Sequence, residues 1–129
     1  MPLNRLHVPH SIPAETTRAL NELLHTSLVE TCGVNPDDHF CLVNRYADGD
    51  MLVHPTFLGD RDPAATIVVE ITLLAGRSDA QKEALYADFR ARVPTLGLKP
   101  NNIILFLVEN SPIDFSFSEA GSVKKVLGL

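Results

Sequence analysis

Gly97-Leu98-Lys99-Pro100-Asn101-Asn102, with the apolar run Ile103-Ile104-Leu105-Phe106-Leu107-Val108 behind it, repeats an earlier pattern. The earlier copy is Gly33-Val34-Asn35-Pro36-Asp37-Asp38, followed by Phe40-Cys41-Leu42-Val43. Working back from these turns, an offset of 65 residues, one more than separates the two glycines, sets Leu85 on Leu20, Phe89 on Leu24 and Ile71-Thr72-Leu73 on Leu6-His7-Val8. Each copy reads strand, helix, Gly-Pro turn, strand. That order is a βαβ unit, whose two strands lie parallel because a crossover separates them. Repeat one covers about 2–46, repeat two about 66–110, and a tail 111–129 follows. The expected fold is α+β: two tandem β-α-β repeats forming one mixed sheet with both helices on one face, in a single domain over 1–129.

The helices are read from periodicity. Leu20, Leu23, Leu24, Ser27, Leu28 and Thr31 recur at spacings of three and four, while Arg18, Glu22 and Glu30 take other angles. Leu85, Phe89 and Val93 form the matching stripe in the second copy. That helix opens with Ser78-Asp79-Ala80-Gln81, in which the serine oxygen and the glutamine side chain satisfy backbone N–H groups reciprocally. Pro13 stands at the equivalent place in the first copy, and proline is tolerated in a first turn, where its missing donor would be unpaired anyway. Each helix is expected to end just before a glycine, Gly33 or Gly97. The segment Ala47 to Ala65 is the least regular. Its Asp48-Gly49-Asp50 turn and Met51-Leu52-Val53 suggest a short hairpin or strand, with Asp60 to Pro63 as a loop, placed to shape the mouth of a pocket.

Composition narrows the function. A hydrophobic content of 45% supplies a core for 129 residues. The net charge of −5 and the absence of a Lys/Arg cluster argue against nucleic acid or an anionic membrane as partner. The longest aliphatic or aromatic run, Ile103 to Val108, is six residues, far short of the ~20 needed to cross a bilayer. No charged leader precedes a long apolar region, so the expected location is the cytoplasm. Cys32 and Cys41 are not a C-x-x-C pair and read as small core residues. His7-Val8-Pro9-His10 lacks the helical spacing and the carboxylate of a zinc motif, and His25, His39 and His54 are scattered, so no metal is expected. No nucleotide-binding glycine pattern is present, and Gly121-Ser122-Val123-Lys124-Lys125 is too short to be a phosphate loop, so no cofactor is expected either.

Two residues carry chemistry. Pro2 heads the apolar run Leu3-Asn4-Arg5-Leu6-His7-Val8, and trimming of Met1, which a small second residue favours, leaves it as a free secondary amine. Such an amine titrates at roughly pKa 8 in model peptides. Burial and nearby cations lower that value, leaving a neutral base at pH 7. Arg77 sits between a strand end, Leu74-Ala75-Gly76, and a helix start, Ser78-Asp79. A guanidinium fork there matches a carboxylate bidentately, near the positive end of a helix. The bland alternatives are a permitted residue after Met1 and a solvated loop arginine.

A heading Pro2, two βαβ copies and Val69-Glu70-Ile71-Thr72-Leu73-Leu74-Ala75-Gly76-Arg77-Ser78-Asp79-Ala80-Gln81-Lys82-Glu83-Ala84-Leu85 together resemble the tautomerase superfamily. The Gly-Arg-Ser-Asp-x-Gln-Lys-Glu run is similar to that of 4-oxalocrotonate tautomerase, where it follows the amino-terminal proline rather than opening a second copy. Chain length and the tail Val108-Glu109-Asn110-Ser111-Pro112-Ile113-Asp114-Phe115-Ser116-Phe117 resemble the long fused-repeat branch that includes malonate semialdehyde decarboxylase. The resemblance implies a homotrimer acting without cofactor on a small carboxylate substrate, with sites near subunit boundaries. Pro2 would shuttle a proton in keto-enol isomerisation of a 2-oxo acid, and Arg77 would bind its carboxylate. Asp38 matches the aspartate that helps the decarboxylase activate water, although Asn-Pro-Asp-Asp is also a strong turn sequence. Phe115 replaces an aromatic of the decarboxylase pocket and Phe117 is its neighbour; both also suit a hairpin packed on the core.

There is one departure. Where the decarboxylase has two arginines separated by one residue, this chain has Ala75 and Arg77, which makes carbonyl polarisation alongside carboxylate binding harder. Arg5, Arg45 and Arg61 are the candidates for a second cation. Tautomerase is therefore the leading expectation. A decarboxylase, hydratase or dehalogenase of three-carbon acids is second, and a non-catalytic binding module, which a retained Met1 would favour, is third.

Overall fold

Strict alternation shapes the first strand: in β1 (Leu3–Pro9), Asn4, Leu6 and Val8 are buried and the residues between them are not. A computed structural model describes residues 2–129, and the retention of Met1 falls outside the described residues. Helix α1 (Ala14–Cys32) turns Leu20, Leu24, Ser27, Leu28 and Cys32 inward and ends on Gly33, whose φ of 65° is left-handed. Strand β2 (Phe40–Tyr46) completes the first unit, parallel to β1. The second unit repeats this with β3 (Ile67–Leu74), α2 (Asp79–Arg92) and β4 (Ile103–Asn110), and β3 and β4 are parallel. The sheet order is β2-β1-β3-β4 with an antiparallel seam between β1 and β3, so the two units meet back to back in one mixed sheet.

Both helices pack over the inward residues of β1 and β3. Leu6, Val8, Leu24, Leu28, Ile67, Val69, Ile71, Leu85 and Phe89 form one cluster with no exposure. Burying each such side chain stabilises by roughly 1.5–3 kcal/mol before entropy is counted. The opposite face lies uncovered, with Leu42 and Phe106 more than half exposed on either side of Arg5 and Glu70.

Two expectations need revision. The α-helical part of the second helix stops at Arg92 and a 3-10 turn, Val93–Leu96, carries the chain to Gly97. Pro94 has no N–H to continue the ladder, so the last turn tightens. Residues 51–53 form no strand. The Asp48-Gly49-Asp50 turn is present, closed by the Asp50 N–H on the Ala47 carbonyl, but side chains tie down the rest. His54 Nδ1 accepts from the Thr56 and Phe57 N–H groups, Arg61 donates to the His54 carbonyl, and the Asp62 N–H donates to Asn102 Oδ1. This loop lines a cavity at the start of β3 and β4, the end of the sheet remote from Pro2, and so does not shape a mouth there.

After β4 the tail forms a small hairpin, β5 (Ser116–Ser118) with β6 (Gly121–Ser122), and a short helix α3 (Val123–Leu127) anchored by buried Val123. Phe117 meets Phe40 with ring centroids 5.1 Å apart. The tail thus leaves one edge strand and reaches the other, crossing the sheet at the end where β1 begins. No helix among the described residues is long and apolar enough to cross a membrane.

Candidate active site

Strands β1 and β2 begin, and β3 and β4 finish, at the same end of the sheet. Pro2 is buried there, one residue before Leu3, which pairs with Phe40 and Thr72. Arg77 is half-buried in the β3–α2 junction. Its Nε donates to the Cys32 carbonyl and its Nη1 to the Leu74 carbonyl, both at 3.2 Å. Cys32 closes α1, where carbonyls lack helical partners and the helix dipole favours a cation. A guanidinium has five N–H groups, so these anchors fix the fork and leave donors for a ligand. The N-terminus of α2 itself is occupied: the Ser78 N–H donates to Gln81 Oε1 at 2.9 Å and the Gln81 N–H to Ser78 Oγ at 3.2 Å. Anion binding here therefore falls to the Arg77 side chain.

Two charged neighbours were not read from the sequence. Glu109 is held below the usual carboxylate range, first by its hydrogen bond from Lys82, and also by the Gly76 N–H and the charge of Arg77. Lys82 is raised, chiefly by the same bond. The signal lay in strand register, which sets Glu109 beside Leu73 as β3 ends.

Asp38 belongs to a turn in which its N–H donates to the Asn35 carbonyl at 2.9 Å and the Asp37 N–H donates to Asn35 Oδ1 at 2.9 Å. With Phe40, Phe117, Val123, Val126 and Leu127 it lines a cavity of about 270 Å³. Phe115 is stacked on Phe117 at 6.4 Å and is not part of the wall, and neither is Arg77. The structure thus brings Asp38 and Phe117 together and adds Phe40, which the sequence reading treated only as strand.

None of the three candidate second cations joins this group within the chain. Arg45 donates to the Ile12 carbonyl and to Thr17 Oγ1 near the far end of β2, and Arg61 lies in the remote loop. Arg5 points to the uncovered face and pairs with Glu70 at 3.3 Å. Asn4 is a further surprise: it is fully buried on the side of β1 that Pro2 shares by alternation, and neither Oδ1 nor Nδ2 has a hydrogen-bond partner among the described residues. Burial pushes the Cys41 thiol up to about 11, so it stays protonated and a poor nucleophile. Among the described residues no three His, Cys, Asp or Glu side chains converge to hold a metal ion.

Comparison with known proteins follows the same outline. The chain is 26% identical over 118 residues to the probable tautomerase YusQ of Bacillus subtilis (strain 168), covering 91% of this chain and 93% of that one. Its fold superposes on the FG41 malonate semialdehyde decarboxylase inhibited by 3-bromopropiolate with a TM-score of 0.87, at 25% identity, over 98% of this chain and 95% of that one. A fused 4-OT solved as a symmetric trimer gives a TM-score of 0.78 at 22% identity, over 96% and 98% of the two chains, which shows the shared fold. The tautomerase enzyme family matches residues 38–118, a span that begins at Asp38 and contains Arg77 and Phe117. With well over half its length matched in this way, the chain belongs to the tautomerase family.

Proposed function

We propose that the protein is a cofactor-independent keto-enol tautomerase acting on a small 2-oxo acid or its enol, with Pro2 as the proton carrier once Met1 is removed. The observation that carries this reading is a buried Pro2 at the head of β1, at the sheet end where Arg77 is anchored with donors to spare. Burial favours the neutral form of a secondary amine. Neutral Pro2 takes the proton of the enol hydroxyl; the carbonyl forms as the C=C electron pair takes a proton from the resulting ammonium at carbon. Arg77 holds the carboxylate, and Phe117 with Phe115 behind it keeps water away. The assembly is a homotrimer, matching the fused 4-OT whose fold it shares.

A second reading is a decarboxylase or hydratase, or a dehalogenase, of three-carbon acids. It is favoured by Asp38, which faces the apolar cavity where a water can be activated, and by likeness to a malonate semialdehyde decarboxylase. The lone Arg77 in place of an arginine pair weighs against it. A binding module without turnover is the third reading, and it requires Pro2 to remain an amide. Ketonisation of phenylenolpyruvate by the native protein and by Pro2→Ala tests the proposal. A loss of at least about a hundredfold is expected, the lower range for a removed general base. Equal rates would remove Pro2 from the mechanism.

A further inference from the structure

We infer that His25 is a positioning residue for Asp38, holding the Asn35–Asp38 turn against α1 from both sides. The inference rests on the reading that Asp38 faces substrate. His25 Nε2 lies 2.8 Å from the Pro36 carbonyl. A carbonyl only accepts, so the ring carries its proton on Nε2 and donates. The same ring lies flat on His39, with centroids 3.9 Å apart and planes within 3°. Pro36 precedes Asp38 by two residues and His39 follows it directly, so one side chain grips the chain before and after the carboxylate.

The grip has a firm base. His25 is flanked on α1 by Leu24 and Leu28, both fully buried, so the helix carrying it is fixed by the core. Within the turn, the Asp37 and Asp38 N–H groups donate to Asn35. Those bonds define its shape, Val34 in the core and Phe40 on β1 hold its two flanks, and His25 ties the turn itself to α1. The arrangement also has a cost: His25 Nδ1 and His39 Nε2 are buried without a hydrogen-bond partner among the described residues. Unpaired buried nitrogens are unfavourable, so the two rings meet there at the expense of their own solvation.

The test joins backbone exchange to a double-mutant cycle. Amide hydrogen exchange at Asp38 is expected to rise at least about tenfold in His25→Ala while the core amides of α1 stay protected, as for a local opening. His25→Gln, whose amide nitrogen reaches a similar point, is expected to restore most of the protection. In turnover of malonate semialdehyde and phenylenolpyruvate, any loss caused by His25→Ala is expected to vanish when Asp38 is already Asn, since residues acting through one group are not additive. If His25→Ala does not fold, His39→Ala removes the stack alone and is read in the same way. Unchanged exchange at Asp38, an increase spread evenly over α1, or losses that multiply with Asp38→Asn would each overturn the inference. Native turnover of both substrates by Asp38→Asn would overturn the reading of Asp38 itself, and with it a catalytic role for His25, whatever the exchange rates show.

Discussion

Arg77 is tied to the ends of α1 and β3 by two carbonyls, and a guanidinium so held has further N–H groups to donate. Lysine keeps the charge but neither the fork nor the simultaneous anchors. Charge-assisted hydrogen bonds are worth about 1.5–3 kcal/mol each, so kcat/KM for a carboxylate substrate is expected to fall about ten- to a hundredfold in Arg77→Ala. Steady-state kinetics should show Arg77→Lys recovering little of that loss. The positions of Pro2 at the head of β1 and of Arg77 between β3 and α2 were legible in the sequence because each marks the boundary of a periodic segment. Glu109 was not, because Lys82 and Glu109 meet only after β4 has paired with β3. Arg5, Arg45 and Arg61 could not be ranked for the same reason: whether an arginine faces the site depends on strand parity and loop path, which no local pattern encodes.

Between the helices, Asp88 of α2 is the joint. It accepts from Ser27 of α1 at 2.6 Å and from Arg92 Nε at 2.9 Å, while Arg92 also reaches Glu30. Its carboxyl is held below the usual value, first by Arg92 and then by Ser27. A depressed folded-state value means that the bond contributes fully above the unfolded carboxylate range near pH 4, and that the contribution is lost as pH falls through the folded value. Thermal melts between pH 5 and pH 2 should therefore show a shallower acid loss for Asp88→Asn than for the native protein. Asn4 offers the opposite experiment. A buried amide with no partner among the described residues costs about 1–3 kcal/mol, so Asn4→Leu, nearly isosteric, is expected to raise Tm by several degrees. The Ser78 cap and the Gly33 terminus were read from the sequence because they act locally, whereas the end of α2 at Arg92, ahead of Gly97, was not. In the loop after β2 the turn at Asp48-Gly49-Asp50 was read correctly, but the hairpin or strand expected at residues 51–53 was not found, because the backbone that follows is held by His54, Arg61 and Asn102, contacts that leave no periodic trace.

At the scale of the molecule, the sequence repeat anticipated the two parallel pairs, but not that the tail would cross the sheet to set Phe117 on Phe40. The uncovered sheet face, with Leu42 and Phe106 around Arg5 and Glu70, is the surface that the proposed trimer would bury. Burying a charge there without a partner is costly, so Phe106→Asp is expected to reduce the sedimenting mass from three chains to one. Trimer or not, the proposed chemistry turns on a secondary amine at the head of β1. The most direct measurement is the rate of phenylenolpyruvate ketonisation by two forms of the same protein separated by mass, one lacking Met1 and one retaining it. The trimmed form should turn the enol over, and the Met1-bearing form, whose Pro2 nitrogen is an amide without a basic lone pair, should be slower by at least about a hundredfold. Equal rates in the two forms would contradict a catalytic Pro2 amine.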